Sequence, residues 1–346
     1  MAIIIPANTL SAGGYEVANS CRFNGADGPK LTKSVGTYSS TSIGTFSFWV
    51  KRASLGTASI LFSNTAADDN NRCYIYFNTS NQLQVTYAES GSSDLNSTSD
   101  MLFRDPSAWY HIVIAVDSTQ GVNANRLKAW VNGKLITWGA FGGFPNSALT
   151  LFTTTSDRHA IAFIYGASNT FYGYMAEAAY TDGQAYDMDD FGEYDSNSPT
   201  IWKPKDISGL TFGNNGWLLD FEDSSALGND VSGNNNDFTT ANLAAIDQAT
   251  DTPTNNFATL NPLFAPPAGT PVYSDGNLTS ISDGSAAEYG FAGATTIGVS
   301  SGKWYCEGKC TLGGSYSRAS IGVTYDPSQS AYANGGNNPS GKFAYG

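Results

Sequence analysis

Short apolar runs interrupted by polar clusters fill residues 19–190 and constrain the fold of this chain more than any other feature. Examples are TFSFWVKR (45–52), CYIYFN (73–78), QLQVTYAE (82–89) and WYHIVIAV (109–116), with Ser-, Asn- and Gly-rich stretches between them. Many short strands separated by turn residues are typical of an antiparallel β-sandwich. Only 186–194 and 242–249 have helical character, and both are short. The sequence therefore predicts an all-β chain.

Alternation within the runs assigns side chains to sheet faces. In 73–77, Tyr74 and Tyr76 are predicted on one face and the three other side chains on the opposite face. In 109–116 both faces are apolar, which predicts a central strand rather than an edge strand. Asn132-Gly133 predicts a type I′ hairpin turn, because both residue types tolerate a positive φ.

The chain is too long for one ordinary domain, and its composition changes along its length. We expect an N-terminal arm at 1–18 as a possible attachment segment, and a β-sandwich at 19–198. Residues 199–274 are rich in Pro and Asn and predict an extended connector with one strand, GWLLDFE, since Pro lacks a ladder donor. Residues 275–346 predict part of a second sandwich, shorter than the roughly 100 residues of a complete one and so expected to be truncated.

The charge balance excludes several classes of partner. The net charge is −13, and a surface of that sign repels nucleic acids and anionic membranes, so we expect neither as a partner. No apolar run approaches the 18 residues of a membrane span. The start MAIIIPANTL has no basic residue before its apolar run, so no secretory signal is predicted. Only 14% of residues are charged, against about 25% in typical domains, as in β-rich extracellular or virion proteins.

Four cysteines, Cys21, Cys73, Cys306 and Cys310, form no C-x-x-C pair, which excludes the usual zinc motifs. Cys306 and Cys310 lie four residues apart in a predicted strand, roughly 13 Å and beyond disulfide reach. We expect free thiols and synthesis in a reducing cytosol, and a Cys21–Cys73 disulfide stays open.

Candidate catalytic residues are few. Sandwich glycosidases use two carboxylates, and one branch places them on a strand as E-x-D-x-x-E. The nearest match begins with Glu193 and Asp195, but Ser198 occupies the position of the second Glu. The two histidines are expected to be a packed residue in a strand (His111) and a residue of a turn (His159), and no G-x-S-x-G accompanies them. We predict no catalytic residues and no enzyme, with a carboxylate pair assembled only in space as the alternative.

Binding candidates lie in loops. Asp230, Ser232, Asn234 and Asn236 alternate as calcium ligands do in an EF-hand loop, but the required Gly and bidentate Glu of that loop are missing. We expect a hydrogen-bonded Asx-rich turn and no cofactor, with a weak Ca²⁺ site as the alternative there and, less so, at 65–72.

Aromatic residues in or near Gly-rich loops are candidates for stacking on sugars. These are Trp138, Phe141, Phe144 and Tyr172. Trp49, Trp109 and Trp130 lie in predicted strands, and we assign them to core packing.

Five stretches, SCRFNGADGPKLTK, GTFSFWVKR, SAWYHIVIAVD, RLKAWVNG and YGYMAEAAYTDG, occur in this order. Together they resemble laminin G-like domains of the concanavalin A-type jelly-roll fold. The resemblance covers about 170 residues and implies the fold. It implies no single function, because this fold hosts lectins, adhesins, hydrolases and structural modules.

The stretch from WKPKDISG to FATLNP (202–262) resembles a segment that follows such domains in structural proteins of tailed bacteriophages, especially marine ones. GKWYCEGKC through ASIGVTYD resembles the first half of a SPRY domain. These resemblances imply a non-enzymatic virion protein made in the host cytoplasm, most often a homotrimeric tail fibre. Its partners would be other tail or capsid proteins and a host-surface glycan. A capsid decoration protein or head fibre is the alternative, and a glycan depolymerase a further one.

Overall fold

Strands make up nearly all regular structure in this computed structural model, which describes residues 14–65, 72–88, 95–143, 158–164, 170–264, 271–282, 294–309, 321–323 and 343–345. The strands are β1 (Ser20–Phe23), β2 (Lys30–Ser34), β3 (Ile43–Arg52), β4 (Ser59–Thr65), β5 (Arg72–Phe77), β6 (Gln82–Ala88), β7 (Leu95–Leu102), β8 (Trp109–Asp117), β9 (Leu127–Val131), β10 (Lys134–Leu135), β11 (Trp138–Phe141), β12 (Arg158–Ile161), β13 (Gly173–Asp182), β14 (Gly192–Tyr194), β15 (Trp202–Pro204), β16 (Trp217–Leu219), β17 (Thr239–Ala241), β18 (Gln248–Ala249), β19 (Pro271–Ser274), β20 (Thr279–Ser282), β21 (Ile321–Val323) and β22 (Phe343–Tyr345). The all-β prediction is confirmed.

One α-helix, α1 (Met188–Phe191), interrupts the strands, within the predicted helical stretch 186–194. The Asp187 side chain caps its first turn by accepting a hydrogen bond from the Asp189 backbone N–H. The second predicted stretch, 242–249, contains a short 3-10 turn at Ala245–Asp247 and then β18.

Two antiparallel sheets form the first unit of the chain, which ends at Phe257. Sheet A has the order β10-β9-β8-β3-β13-β1-β18, and β16 also pairs with β13. Sheet B has the order β11-β7-β6-β5-β4-β12-β2-β17. β8 lies between β3 and β9 and is buried on both faces, as its apolar pattern predicted.

The main core fills the space between the sheets. In β5, Cys73, Ile75 and Phe77 are buried in it while Tyr74 and Tyr76 are half-buried on the other face, which confirms the predicted alternation. At the β9–β10 hairpin, Asn132 has φ 48° and Gly133 has φ 75°, as a type I′ turn requires. The register of the hairpin is therefore set by this turn.

The structure differs from the prediction for residues 199–257. They were predicted to be part of an extended connector at 199–274. Three short strands of this segment join the sandwich: β16 pairs with β13, β17 with β2 and β18 with β1. Five of its side chains enter the main core: Trp217, Leu219, Phe221, Leu227 and Phe238. Strands of two or three residues show no periodicity, so the Pro- and Asn-rich composition concealed them. We call residues 199–257 the extension.

The second unit begins at Ala258. Its described residues form a β19–β20 hairpin, a β21–β22 pair and a bridge between Leu260 and Thr295. The predicted strand GKWYCEGKC is wrong as far as it is described, because 303–309 form no strand and Tyr305 is 86% exposed. The SPRY-like assignment of this unit stays a prediction.

Cys21, Cys73 and Cys306 are free thiols, which answers the open question of a Cys21–Cys73 disulfide. Cys310 lies outside the described residues. Within the described ranges there is no helix of the length and apolarity that crossing a membrane requires.

Candidate functional site

A row of uncharged polar and aromatic side chains lies on the outer face of sheet B, on the central strands β5, β6 and β7. Cross-strand pairing brings Tyr76 opposite Gln84 and Tyr74 opposite Thr86. On the next strand, Thr86 pairs with Asn96 and Gln84 with Thr98. Paired residues of neighbouring strands share a face, so all six lie together. We call this set the amide face: Tyr74, Tyr76, Gln84, Thr86, Asn96 and Thr98.

Side-chain hydrogen bonds order the amide face. Gln84 Nε2 donates to Asn96 Oδ1 at 3.0 Å, and Thr86 Oγ1 donates to the same oxygen at 2.6 Å. Asn78, at the end of β5, donates its Nδ2 to Gln84 Oε1 at 3.2 Å. The amides are thereby fixed before any ligand arrives, which lowers the entropy that a ligand would have to overcome.

The amide face leaves one side-chain donor, on Asn96, exposed. Both protein donors to Asn96 use its oxygen, so its amide nitrogen has no hydrogen-bond partner in the part of the chain that is described. Asn96 is also exposed, which makes this donor available to a hydroxyl oxygen. Tyr74 and Tyr76 add half-buried rings beside the amides, and such rings are amphipathic contacts for a partly apolar ligand.

The four aromatic residues predicted to stack on sugars are not brought together. Trp138 and Phe141 lie on β11, paired with the buried Ser99 and Ser97, and they pack against the main core. Tyr172 lies over Gly25, where a Cβ would come within 2.3 Å of its ring. Phe144 lies outside the described residues. Trp138, Phe141 and Tyr172 are thus packing residues in this structure, and the amide face is a different set.

Trp49 and Trp109 are buried and Trp130 is partly buried, as expected for strand tryptophans. Their side chains lie on the outer face of sheet A, which the extension and residues 186–198 cover. Two apolar clusters fill this contact, one around Val113 and Phe212 and the other around Trp49 and Trp202. Among the described residues, sheet A therefore has no free outer face at its centre, whereas the amide face of sheet B is partly exposed.

His111 is part of this covered face, as the packed histidine that the sequence predicted. Trp202 Nε1 donates to His111 Nδ1 at 2.8 Å, and Ser47 Oγ lies 2.9 Å from His111 Nε2. An indole N–H is a donor only, so Nδ1 is the acceptor and the proton of the neutral ring is on Nε2. Burial lowers the pKa of His111 to about 3, and the ring stays neutral at physiological pH.

His159 has the same arrangement, although the sequence predicted it in a turn. It is fully buried on β12, with Trp217 Nε1 3.2 Å from Nδ1 and the Tyr38 hydroxyl 3.1 Å from Nε2. Burial also lowers its pKa. SDRHA looked like a turn because its polar residues precede the strand, and the first ones lie outside the described residues. Both histidines are therefore neutral packing residues, each bonded to a tryptophan of the extension.

Glu193 and Asp195 lie beside Lys203, across the β14–β15 hairpin. Lys203 Nζ is 3.1 Å from Glu193 Oε1 and 3.6 Å from Asp195 Oδ2. Asp195 Oδ1 also accepts the backbone N–H groups of Asn197 and Ser198, and these bonds hold the pKa of the Asp195 carboxyl below its usual range. This geometry is a turn with an ion pair and gives neither carboxylate a partner of the kind that hydrolysis requires.

Hydrogen bonds from residues of its own loop occupy the Asp230 carboxylate. Asp230 Oδ1 accepts the backbone N–H groups of Leu218 and Ser232, and Oδ2 accepts the Ser232 hydroxyl and the backbone N–H of Asn236. Asn234 and Asn236 donate their side-chain amides to the Gly216 carbonyl. The described residues contain no group of three or more His, Cys, Asp or Glu side chains arranged for a metal. Asp230 thus connects the loop to β16, and most of the other weak candidate, 65–72, lies outside the described residues.

A buried carboxyl that the sequence analysis missed lies in β13. Glu177 is 3% exposed, has φ 41° and interrupts the register between β13 and β3. The Tyr15 hydroxyl donates to its Oε1. Burial raises the pKa of Glu177 to about 8, and nearby carboxylates such as Asp206 and Asp220 add to the shift against the Tyr15 hydrogen bond. The carboxyl is mostly protonated at neutral pH, and residues 14–18 of the predicted arm pack on the sandwich through Tyr15 and Val17.

The signal for the amide face was present in the sequence. In QLQVTYA, Gln82, Gln84 and Thr86 alternate with apolar residues, which predicts one polar face on this strand. The register that places Gln84 opposite Tyr76 is a long-range property and could not be read locally.

Comparison with known proteins supports the fold. The family model "Concanavalin A-like lectin/glucanases superfamily", of the laminin G type, matches residues 23–183. No curated protein matches the chain.

Similar solved structures include three with different coverage. A SAP-like pentraxin from Limulus polyphemus has 12% identity over 50% of this chain and 80% of that chain, with a TM-score of 0.37. A candidate carbohydrate-binding protein from Bacteroides ovatus has 17% identity over 65% of this chain and 58% of that chain, with a TM-score of 0.42. Mouse laminin α1 domains LG4-5 have 11% identity over 55% of this chain and 46% of that chain, with a TM-score of 0.37.

This chain therefore spans 58% of the Bacteroides ovatus protein and 46% of the mouse laminin structure. At these identities the likeness concerns the fold and says nothing of ligands. The family match and the two antiparallel sheets together identify residues 23–183 as a concanavalin A-like jelly-roll domain of the laminin G type.

Proposed function

We propose that this chain is a non-enzymatic virion protein of a tailed bacteriophage, most simply a tail fibre, whose laminin G-like domain binds a neutral host-surface glycan. The observation that carries the glycan part is the amide face. It combines ordered amides, two half-buried tyrosine rings and an Asn96 amide nitrogen that has no partner among the described residues, with no charged side chain among its six residues. Neutral sugars present hydroxyl groups and apolar C–H faces, and this set matches both.

The superfamily supports the proposal, since its name includes lectins. Its name also includes glucanases, and a fold alone does not determine function. The one sequence pattern for a sandwich glycosidase, at Glu193 and Asp195, is an ion-paired turn. Binding without hydrolysis is the function that these residues favour.

The virion part of the proposal comes from the resemblance of 202–262 to segments of tailed-phage structural proteins, and from the weakly charged, β-rich composition. Attachment to the tail would use the N-terminal region, and fibres of this kind are generally trimers. Residues 14–18 pack on the sandwich, so an attachment role for the N-terminal region would have to lie in the residues before them.

Two experiments test the proposal separately. The full chain is applied to an array of bacterial surface glycans, and we expect binding to neutral structures; no binding to any glycan would contradict the recognition role. Incubation with the bound polysaccharide should release no new reducing ends, and release would instead support a depolymerase.

Location in the particle tests the virion part. An antibody or tag on the chain should label the tail in electron micrographs of the phage. Labelling of the capsid would favour a decoration protein or head fibre, and its absence from particles would overturn the virion assignment.

A further inference from the structure

A lysine, an aspartate and an asparagine meet on the covered face of sheet A. Lys51, on β3, is 1% exposed. Its Nζ lies 2.7 Å from Asp251 Oδ2 and 2.8 Å from Asn256 Oδ1. The same nitrogen donates to the Phe257 carbonyl at 2.6 Å. These contacts join an early strand of the sandwich to the end of the extension.

The surroundings orient the carboxylate toward the amine. Asp251 Oδ1 accepts Trp109 Nε1–H at 3.0 Å and the Phe257 backbone N–H at 3.3 Å, so Oδ2 is left to face Lys51. The ring of Tyr174 has its centroid 5.9 Å from Lys51 Nζ. The amine therefore faces one carboxylate, with the ring of Tyr174 nearby.

Burial in this place favours uncharged groups. Removal from water lowers the pKa of Lys51, and the Asp251 carboxylate opposes that shift without cancelling it. A buried ion pair can exchange its proton and become a neutral amine with a carboxylic acid, which costs less desolvation than two charges. A neutral lysine amine is a nucleophile.

We propose that Lys51 and Asn256 form an intramolecular amide bond, an isopeptide crosslink that the protein makes in itself with the help of Asp251. Hydrogen bonding already holds the amine against the side-chain amide of Asn256, and such proximity replaces a collision between separate molecules. The Asn256 amide nitrogen donates to the Ser107 carbonyl at 2.8 Å, which fixes the amide plane.

The reaction is balanced without any external reagent. Asp251 takes one proton from the Lys51 ammonium, and the neutral Nζ attacks Asn256 Cγ. A bond forms from Nζ to Cγ, and the bond from Cγ to Nδ2 breaks. Asp251 gives its proton to Nδ2, which departs as ammonia, and then takes a proton from Nζ. The released ammonia accepts this second proton from Asp251 and becomes ammonium, and Asp251 is again a carboxylate.

Such a crosslink would close a loop containing most of the first unit. Closing a long loop restricts the unfolded chain and resists complete unfolding under force. That property suits a protein that bears mechanical load, whether or not it binds a glycan, so the inference does not depend on the proposed function.

Intact mass spectrometry of the denatured full chain tests the proposal. The wild type should be lighter than its sequence by one ammonia molecule. The Asn256→Ala and Lys51→Arg variants should each have the full mass of their own sequence. Asn255→Ala changes the neighbouring asparagine, which is exposed as Asn256 is; it is the matched control and should keep the loss.

Peptide mapping locates the bond. A digest should contain one branched peptide that joins the segments around Lys51 and Asn256. A folded wild type with its full sequence mass would overturn the proposal and leave an unreacted ion pair. Ammonia loss that maps to another asparagine, such as Asn132 before Gly133, would overturn it equally. The wild-type measurement stands even if a variant fails to fold.

Discussion

The outer faces of the two sheets differ in how far other parts of the chain cover them. On sheet A, the extension covers the central strands with Trp202, Phe212 and their neighbours. On sheet B, the central strands present ordered amides and half-buried tyrosines. The difference shows how one sandwich can separate its tasks. The covered face contributes stability through buried apolar and neutral polar contacts, and the amide face retains polar groups that a ligand can reach. Substitutions on the two faces should therefore change different measurements.

The largest effect is expected from Trp202→Ala on the covered face. Its ring packs on Gly133 and Gly192, where a Cβ would come within 2.4 and 2.5 Å of it, and its N–H bonds to His111. We expect a loss of about 3–5 kcal/mol in the free energy of unfolding, since a cavity forms and His111 loses a partner. Urea denaturation measures it.

Trp304→Ala provides the matched control for that change. Trp304 is 50% exposed, so its removal should change stability by no more than about 0.5 kcal/mol. If Trp202→Ala lowered the free energy of unfolding by no more than this control does, Trp202 would not stabilise the covered face.

The next largest effect concerns the pH dependence of stability and the buried carboxyl of Glu177. The folded protein holds the proton of Glu177 up to about pH 8, whereas the unfolded chain releases it near the ordinary glutamate pKa of 4.5. The group's contribution to stability is fully present below pH 4.5 and is lost as pH rises toward 8. Glu177→Gln cannot ionise, so its stability relative to wild type should rise by about 3 kcal/mol between pH 5 and pH 8. Denaturation of both proteins at each pH measures the difference, and a difference that does not vary with pH would contradict it.

A smaller effect, on binding rather than folding, is expected from Tyr76→Ala on the amide face. Loss of the ring should weaken binding of the glycan found on the array by about tenfold, the size of a modest contact residue. Titration calorimetry measures the affinity. Tyr305→Ala, which removes a tyrosine that is 86% exposed in the second unit, should leave the affinity unchanged. If both variants bind like wild type, the ligand does not use the amide face.

The smallest effect is expected from Glu193→Gln. The Glu193 side chain is 51% exposed, so its ion pair with Lys203 is screened by solvent and contributes less than about 0.5 kcal/mol. Stability and binding should both stay at wild-type values. A large loss in either would mean that Glu193 contributes more than an exposed ion pair to stability or to binding.

Local patterns in the sequence predicted the sandwich strands, and long-range contacts decided the rest. Alternation in 73–77 and 109–116 assigned the faces correctly, and Asn132-Gly133 located its turn. Trp202 and His111 are far apart in sequence, and no local pattern indicates that one donates to the other. Loop position suggested Trp138 and Phe141 as binding residues, but their pairing directs them to the core. The amide face needed the β5–β6–β7 register, which only the folded chain provides.

The pairing of β1 with β18 also governs when this unit can fold. Ser20 is aligned with Ala249, and Cys21 with Gln248. This pairing of the first strand can therefore form only after one of the last segments of the unit has been synthesised. Contacts between such distant residues slow folding, because a long loop must close before they form. During translation, the edge of β1 that faces β18, and the edge of β13 that faces β16, would stay unpaired until the extension leaves the ribosome. An early stop before residue 248 should therefore yield a chain with open strand edges, the kind of chain that aggregates.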